Sequence, residues 1–486
     1  MFQGTGSDVG KSLLTAAFCR LAIRRGVSVA PFKPQNMSNN AAACPSGGEI
    51  GRAQAFQALA AGLDPDTDMN PVLLKPETDQ TAQIILQGRP VKSLEAKDYM
   101  TSRGRLLAPV MESFARLASR FDLVLIEGAG SPAEVNLRRG DIANMGFARQ
   151  AGVPVCLIGD IDRGGLIASL VGTKTVMDPS DAAMVTSFLV NKFRGNPRLF
   201  DDGVRTIETH TSWPCLGVIP WLTAASRLPA EDAVALNHPE EPRDGGFKIS
   251  APMLSRMANF DDADPLKMDP GIDFQWIRPG RPIPRDSDVI ILFGTKSTIG
   301  DLHFLREQGW DHDIIAHARA GRRLLGLCGG YQMLGRSIID PDGVDGRAGQ
   351  VNGLGLLDVD TVMQADKRVA PVQATCAITS APIAGYEIHM GSTEGPDTAH
   401  PFAHINGQPE GARSADGLIE GSYLHGVFSS DTFRRSWIRR AGGQPFDMLS
   451  YAENVEKALD QLADEVDRAI DFDRLLATSR VPGWSP

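Results

Sequence analysis

Near the start of the chain, the stretch Gly4-Thr5-Gly6-Ser7-Asp8-Val9-Gly10-Lys11-Ser12 constrains the fold more than any other. A loop this rich in glycine lets backbone N–H groups approach an anion, and the helix-forming residues after it place a positive helix N-terminus behind that anion. Such a loop works between a buried strand and a helix, so it predicts a parallel sheet with helices packed on it. In this reading Gly4, Thr5 and Gly10 shape a nucleotide site, Lys11 neutralises phosphate charge, and Ser12 ligates Mg²⁺. The opening glycine is Gly4, one place before the position of the strict pattern, where Thr5 stands.

From residue 1 to about 225, short β-branched runs alternate with longer amphipathic ones, the pattern of repeated βαβ units. Strands are expected at 27–32, 123–126, 153–158, 185–190 and 215–219, and helices at 13–25, 51–61, 103–120 and 166–177. Glu127, in Ile126-Glu127-Gly128-Ala129-Gly130, directly follows an apolar strand and projects from its carboxyl end, the edge at which open α/β sheets bind ligands. It is the expected second Mg²⁺ ligand, the alternative being a solvated strand-end acid. Lys33 ends another strand and is placed for phosphate or a substrate carboxylate, while the Asn and Gln residues after it fit either recognition or turn chemistry. Only Met1, Phe2 and Gln3 precede Gly4, whereas a central strand usually runs about five or six residues. The natural chain is therefore expected to begin upstream of Met1, the alternative being a shortened strand.

The polar stretch 237–246, with Pro and Gly and no periodicity, marks a linker between a first domain, 1–236, and a second, 247–441; residues 442–486 form a helical tail. The second domain has a strand at 289–293, a helix over 302–320 and a strand at 323–327 running into Gly326-Leu327-Cys328-Gly329-Gly330. Flanking glycines allow a sharp strand-to-helix turn that exposes the sulfur at a helix N-terminus, a nucleophile elbow with Cys in place of Ser. His425, in Tyr423-Leu424-His425-Gly426, is the natural general base and later acid. The oxyanion would take the N–H of Gly329 and one from the Gly294 loop. His389 fits either a substrate contact or a structural role. In the tail, Val455, Leu459, Leu462, Val466, Ile470 and Leu475 recur at helical spacing over 452–477.

Composition narrows the partners. With 486 residues and 42% apolar content there is material for a core in each domain. A net charge of −10 argues against nucleic acid or an anionic membrane and for a small-molecule substrate. The six cysteines form no C-x-x-C pair, which fits a reducing cytoplasm, and there is no membrane-length apolar run or signal peptide.

The phosphate loop resembles that of dethiobiotin synthetase. The elbow with Tyr423-Leu-His-Gly426 resembles the class I glutamine amidotransferase domain of the cobyric acid synthase and cobyrinate diamide synthase group. Lys33-Pro-Gln-Asn-Met-Ser-Asn-Asn40, Gly51-Arg-Ala-Gln54, Asn70-Pro-Val-Leu-Leu-Lys-Pro76 and Gly159-Asp-Ile-Asp-Arg-Gly164 narrow it to the cobyric acid synthase family. So do Asn191-Lys-Phe-Arg-Gly195, Ala258-Asn-Phe-Asp-Asp262 and Gly385-Tyr-Glu-Ile-His-Met-Gly391. The resemblance implies an ATP-dependent, glutamine-hydrolysing ligase that amidates the b, d, e and g carboxylates of adenosylcobyrinic acid a,c-diamide. Two departures stand out: Val427 occupies the place where most class I amidotransferases carry a Glu, so no third member of the Cys328–His425 pair is assigned, and the Gly294 loop reads Phe293-Gly-Thr-Lys-Ser-Thr298. The rival readings are a cobyrinate a,c-diamide synthase, a partitioning ATPase, which would have no use for Cys328 and His425, and a separate glutaminase subunit, which would have no use for the phosphate loop.

Overall fold

The first strand, Phe2–Gly4, lies at the centre of a parallel sheet whose strands run in the order Val29–Phe32, Leu123–Ile126, Phe2–Gly4, Val155–Asp160, Val185–Phe193, Cys215–Pro220. The computed structural model describes residues 1–77, 80–95, 98, 99, 103–229, 243, 245–346, 348–446 and 450–481. In the first strand the ladder continues back through Met1, whose carbonyl accepts from Cys156 N and whose ammonium donates to Pro154 O at 2.9 Å. Pro154 has no N–H to give a ladder, and the strand expected from 153 starts at Val155. Helices Lys11–Arg24, Arg52–Ala60, Leu107–Ala118 and Leu166–Val176 stand where the amphipathic runs place them. The third begins four residues late, after a 3₁₀ turn over Arg103–Leu106. A further sheet, Gln35–Met37, Val72–Pro76, Thr81–Leu86 and Arg89–Glu95, was not anticipated.

The C-terminal half repeats the theme with five parallel strands, in the order Ile272–Ile277, Phe247–Pro252, Val289–Leu292, Arg323–Leu327, Ile419–Ser422, and an antiparallel edge at Ala412–Arg413. The single helix expected over 302–320 is two, Thr298–Glu307 and Trp310–Arg319. Gly309, at φ 74°, turns the chain left-handed between them, a conformation glycine takes at no steric cost. Of the expected linker, 237–242 and 244 lie outside the described residues. Arg243 is bound to the second half through Asp269 O, Ile272 O and Lys267 O.

The tail belongs physically to the first half. Helix Tyr451–Asp467 buries Val455, Leu459, Leu462 and Val466 in one core with Leu14, Phe18 and Leu21 of the helix behind the phosphate loop. Arg20, Arg24 and Arg25 pair with Glu456, Asp464 and Asp467 at 2.5–2.8 Å. The helix expected over 452–477 breaks after Asp467 and resumes at Phe472–Ala477. Between the two, Ile470 bridges Gly217 of the edge strand and Asp471 N donates to Leu216 O, so sheet pairing replaces helix hydrogen bonds there.

A long antiparallel hairpin, Asp360–Cys376 and Pro382–Glu394, leans from the second half onto the first. Its Ile388, Val369 and Tyr386 pack with Ala41, Leu73 and Ile85. Beside that patch Glu49, wholly buried, is held between Lys75 (2.9 Å) and the hairpin's Lys367. Burial alone would raise the Glu49 carboxyl, but the two ammonium groups outweigh it and hold it down at about 2. Among the described residues no helix is long and apolar enough to cross a membrane.

Candidate active sites

Gly10 starts the helix behind the phosphate loop at φ 93°, and a Cβ there would lie 2.4 Å from Asn191 Nδ2, so this position needs glycine twice over. Gly4 is equally confined: a Cβ would stand 2.7 Å from Gly6 O and 2.9 Å from Lys11 Nζ. Thr5 N extends the central ladder by donating to Ile158 O. Lys11 Nζ bends back over the loop to Gly6 O (3.1 Å) and to Gly130 O (3.3 Å), beside the space a phosphate would take. Asn191 Nδ2 donates to Val9 O, and Lys192 Nζ reaches Asp8 O at 2.5 Å and Asp160 Oδ2 at 2.9 Å. The stretches 159–164 and 191–195 thus brace the loop from the next two strands.

Glu127 lies in the middle of this edge and is fully buried. Its Oε1 accepts from Ser12 Oγ and from Lys33 Nζ, both at 2.7 Å, and its Oε2 accepts from Gln57 Nε2 at 2.6 Å. Burial would push its carboxyl up; Lys33, Ser12 and Gln57 together bring it below the usual carboxylate range. The solvated strand-end alternative is therefore excluded, and the two residues expected to meet Mg²⁺ touch each other. One hydroxyl and one carboxylate suit that cation, which keeps waters and substrate phosphates as its remaining ligands. Among the described residues no group of three or more His, Cys, Asp or Glu side chains could hold a metal by itself. Gln57 was not singled out from the sequence; on a helix, its position five residues beyond Arg52 reads as an ordinary polar face.

In the second half, Cys328 stands between strand Arg323–Leu327 and helix Gly329–Leu334 at φ 52°, ψ −111°. A β-carbon-bearing residue at such a backbone angle is strained, the mark of a nucleophile elbow. The close packing requires glycine on both sides: a Cβ on Gly330 would meet Leu292 O at 2.0 Å, and one on Gly326 would meet Gly330 O at 2.6 Å. His425 is 1% exposed, and Gly294 lies against the pair, since a Cβ there would be 3.0 Å from His425 Cε1 and 3.5 Å from Cys328 Cβ. Gly329 begins the helix after the sulfur and faces Thr295 of the same loop. Gly385 passes so close under the histidine that a Cβ would be 2.3 Å from His425 O, and the next residue, Tyr386, stacks on the imidazole at 5.3 Å.

The pair has a partner that sequence reasoning left unassigned. Asp262 Oδ2 is 2.7 Å from His425 Nδ1, and its Oδ1 accepts from Gly426 N. Burial works against charge on the imidazole, but the Asp262 carboxylate and the Cys328 sulfur outweigh it and lift His425 to about 10. The acid comes from the Ala258–Asp262 stretch, 163 residues before the histidine, rather than from the position of Val427. Its signal was visible as two adjacent acids, Asp261 and Asp262, but adjacency to His425 was not.

Cys328, His425 and Gly294 line a common cleft. Its walls include Gly294, Lys296, Cys328, Gln332, His389 and His425 from the second half, and Asn39 and Lys75 from the first. His389 stacks on Tyr423 at 3.9 Å and faces Glu387 at 3.5 Å, so it both lines the cleft and is packed into its wall.

Comparison with known proteins agrees with both halves. The nucleotide-binding domain family described as CobQ/CobB/MinD/ParA matches residues 1–235, and the CobB/CobQ-like glutamine amidotransferase domain family matches 248–433. Over 484 residues the chain is 63% identical to the cobyric acid synthase of Hyphomonas neptunium, covering 100% of this chain and 98% of that one. It is 61% identical over 480 residues to the cobyric acid synthase of Cereibacter sphaeroides and 58% over 484 to that of Bradyrhizobium diazoefficiens, each covering 99% of both chains. The chain belongs to the cobyric acid synthase family.

Proposed function

We propose that the two sites serve one reaction, that of a glutamine-hydrolysing ligase of cobalamin biosynthesis that converts the b, d, e and g carboxylates of adenosylcobyrinic acid a,c-diamide to amides. The observation that carries this is the presence, on one chain, of a cysteine–histidine–aspartate group and a phosphate loop facing a buried glutamate. A carboxylate is a poor acyl donor. Transfer of the terminal phosphoryl group of ATP to a carboxylate oxygen gives an acyl phosphate and ADP, with Lys11 holding the charge on the phosphates. Ser12 and Glu127 would hold Mg²⁺, which supplies charge neutralisation to the phosphates when bound. Lys33, beside Glu127, is placed to draw the acceptor carboxylate towards the loop.

At the other site, His425 lifted to about 10 is an imidazolium at neutral pH, so the proton needed by the leaving group is already in place. The Cys328 sulfur attacks the glutamine side-chain carbonyl, the Gly329 and Gly294 backbone takes the oxyanion, and His425 protonates the departing ammonia. Water then cleaves the thioester, with His425 taking the water's proton, and glutamate leaves. Ammonia displaces phosphate from the acyl phosphate and leaves an amide. All six cysteines are free thiols, which supports a reducing compartment such as the cytoplasm as its location.

The test exploits the division of labour. Cys328→Ala should lower glutamine-dependent amidation by at least about 10³-fold while activity with ammonium salts stays near that of the unaltered protein. Equal loss with both nitrogen donors would sink the reading.

A further inference from the structure

The loop that carries Asp262 is shaped from outside its own half. Asn259, at φ 53°, occupies the left-handed region that asparagine tolerates better than most side chains. Its N donates to Asn40 Oδ1 at 2.8 Å, and its own Oδ1 accepts from Ala41 N at 3.1 Å, a reciprocal pair of bonds to the N-terminal half. Two residues on, Asp261 is 6% exposed and its Oδ2 meets Arg52 Nη2 at 2.7 Å. Its other oxygen, Oδ1, is buried without a hydrogen-bond partner. A buried carboxylate deprived of the guanidinium it is paired with must take up a proton or move. The next residue is Asp262, whose two oxygens hold His425 and Gly426.

Arg52 itself is anchored. It is the first residue of helix Arg52–Ala60, its N donates to Asn40 O at 3.0 Å, and five residues along the helix Gln57 is fixed to Glu127 and to Ser12 O. Asn36 Nδ2 ties the same helix to the Lys33–Asn40 segment through Gln54 Oε1 at 2.9 Å. One hydrogen-bonded unit therefore begins at the nucleotide site and ends on the loop that aims the histidine.

We infer that Arg52 and Asn40 are positioning residues of the glutaminase, supplied by the nucleotide-binding half, so that Asp262 holds His425 in place only when the two halves are docked. This rests on the glutaminase reading of Cys328 and His425 and adds to it. Neither Arg52 nor Asn40 is among the residues lining the cleft at Cys328, so glutamine binding and glutamine turnover should respond differently to their loss.

The experiment uses the full chain. Arg52→Gln should lower kcat for glutamine hydrolysis by about ten- to a hundred-fold, the usual size of an outer-shell effect, with KM changed less than about twofold. Ammonium-dependent amidation should keep at least about a third of its rate. The groups facing His425 are Asp262, Cys328 and Tyr386, with Asp261 and Arg52 behind them. Loosening Asp262 should therefore move the alkaline limb of the glutaminase pH profile, which His425 sets, to lower pH by at least about one unit. Arg52→Lys, which keeps a cation, should restore most of both. Asn259→Gly, which accepts φ 53° without strain and removes the Ala41 bond along with a side chain of the cleft wall, should lower kcat several-fold in a folded protein. The inference is overturned if kcat in Arg52→Gln and Asn259→Gly stays within twofold of the parent, if both nitrogen donors fail together, or if only KM changes. Loss of glutaminase in Cys328→Ala alongside any of those outcomes would leave the functional reading standing and remove this one.

Discussion

Glu127 and Asp262 are both buried carboxylates at the hearts of their sites, yet they are held in opposite ways. Glu127 is held by donors of its own half: Ser12, Lys33 and Gln57 close around it within 2.6–2.7 Å. Asp262 orients a histidine of its own half, but its loop takes its shape from Asn40, Ala41 and Arg52 of the other. The nucleotide site is therefore self-contained and the glutaminase is not. For a protein that makes free ammonia this asymmetry is useful, because the half that consumes ammonia is also the half that completes the site releasing it.

The sharpest way to break that comparison is to disable the self-contained site. Lys11→Ala removes the charge that balances the phosphates, and turnover should fall by at least about 10³-fold with glutamine or ammonium as nitrogen source. Glutamine hydrolysis alone should fall far less, because the clamp of Asn40 and Arg52 does not touch Lys11. Measuring both rates on one preparation checks this; amidation near the normal rate would mean that the loop is not where ATP acts.

The converse cut is Asp262→Asn. Below about pH 6.5 both folded and unfolded chains carry the His425 proton, and up to about 10 only the folded one does, so the stability this group contributes is fully present at low pH and is lost as pH rises through about 10. Without the carboxylate the folded value drops, and the alkaline limb of the glutaminase pH profile should move to lower pH while kcat falls about 10²- to 10⁴-fold. Ammonium-dependent amidation should change little. An unmoved alkaline limb would show that Asp262 does not govern the histidine.

The same contrast explains what could be read from the sequence. The phosphate loop, the elbow at Cys328 and the strands at 123–126 and 323–327 are local: glycine spacing and apolar runs determine them within ten residues. Asp262 escaped because its meaning depends on a contact across 163 residues, and Val427 stands where a local rule would have looked. Gln57 escaped for a similar reason, being 70 residues from Glu127. The helix over 302–320 was misjudged because apolar periodicity passes through Gly309 unbroken while the backbone does not. For the tail, periodicity correctly marked a buried face on Val455, Leu459, Leu462 and Val466, but nothing local could say that this face meets Phe18 more than 400 residues earlier.

That tail gives the mildest test of the comparison. Leu459 is fully buried, in one core with Phe2, Leu14 and Phe18 beneath the phosphate loop. Leu459→Ala removes apolar burial and leaves a cavity, at a cost of about 2–5 kcal/mol. The flanking pairs Arg24–Asp464 and Arg25–Asp467 are half exposed and each contribute less than about 1 kcal/mol, so they cannot make up the loss. In a half of this size that corresponds to a fall of about 5 °C or more in its thermal midpoint. If the nucleotide site is the self-contained one and the tail is part of its core, saturating ADP should recover much of that fall, because a ligand that binds only the folded half shifts its equilibrium. Glutamine hydrolysis at 25 °C, where the variant is still folded and docked, should stay within about twofold of the parent. A variant with an unchanged midpoint would detach the tail from the nucleotide half. One that lost glutaminase first would reverse the assignment of which half depends on the other.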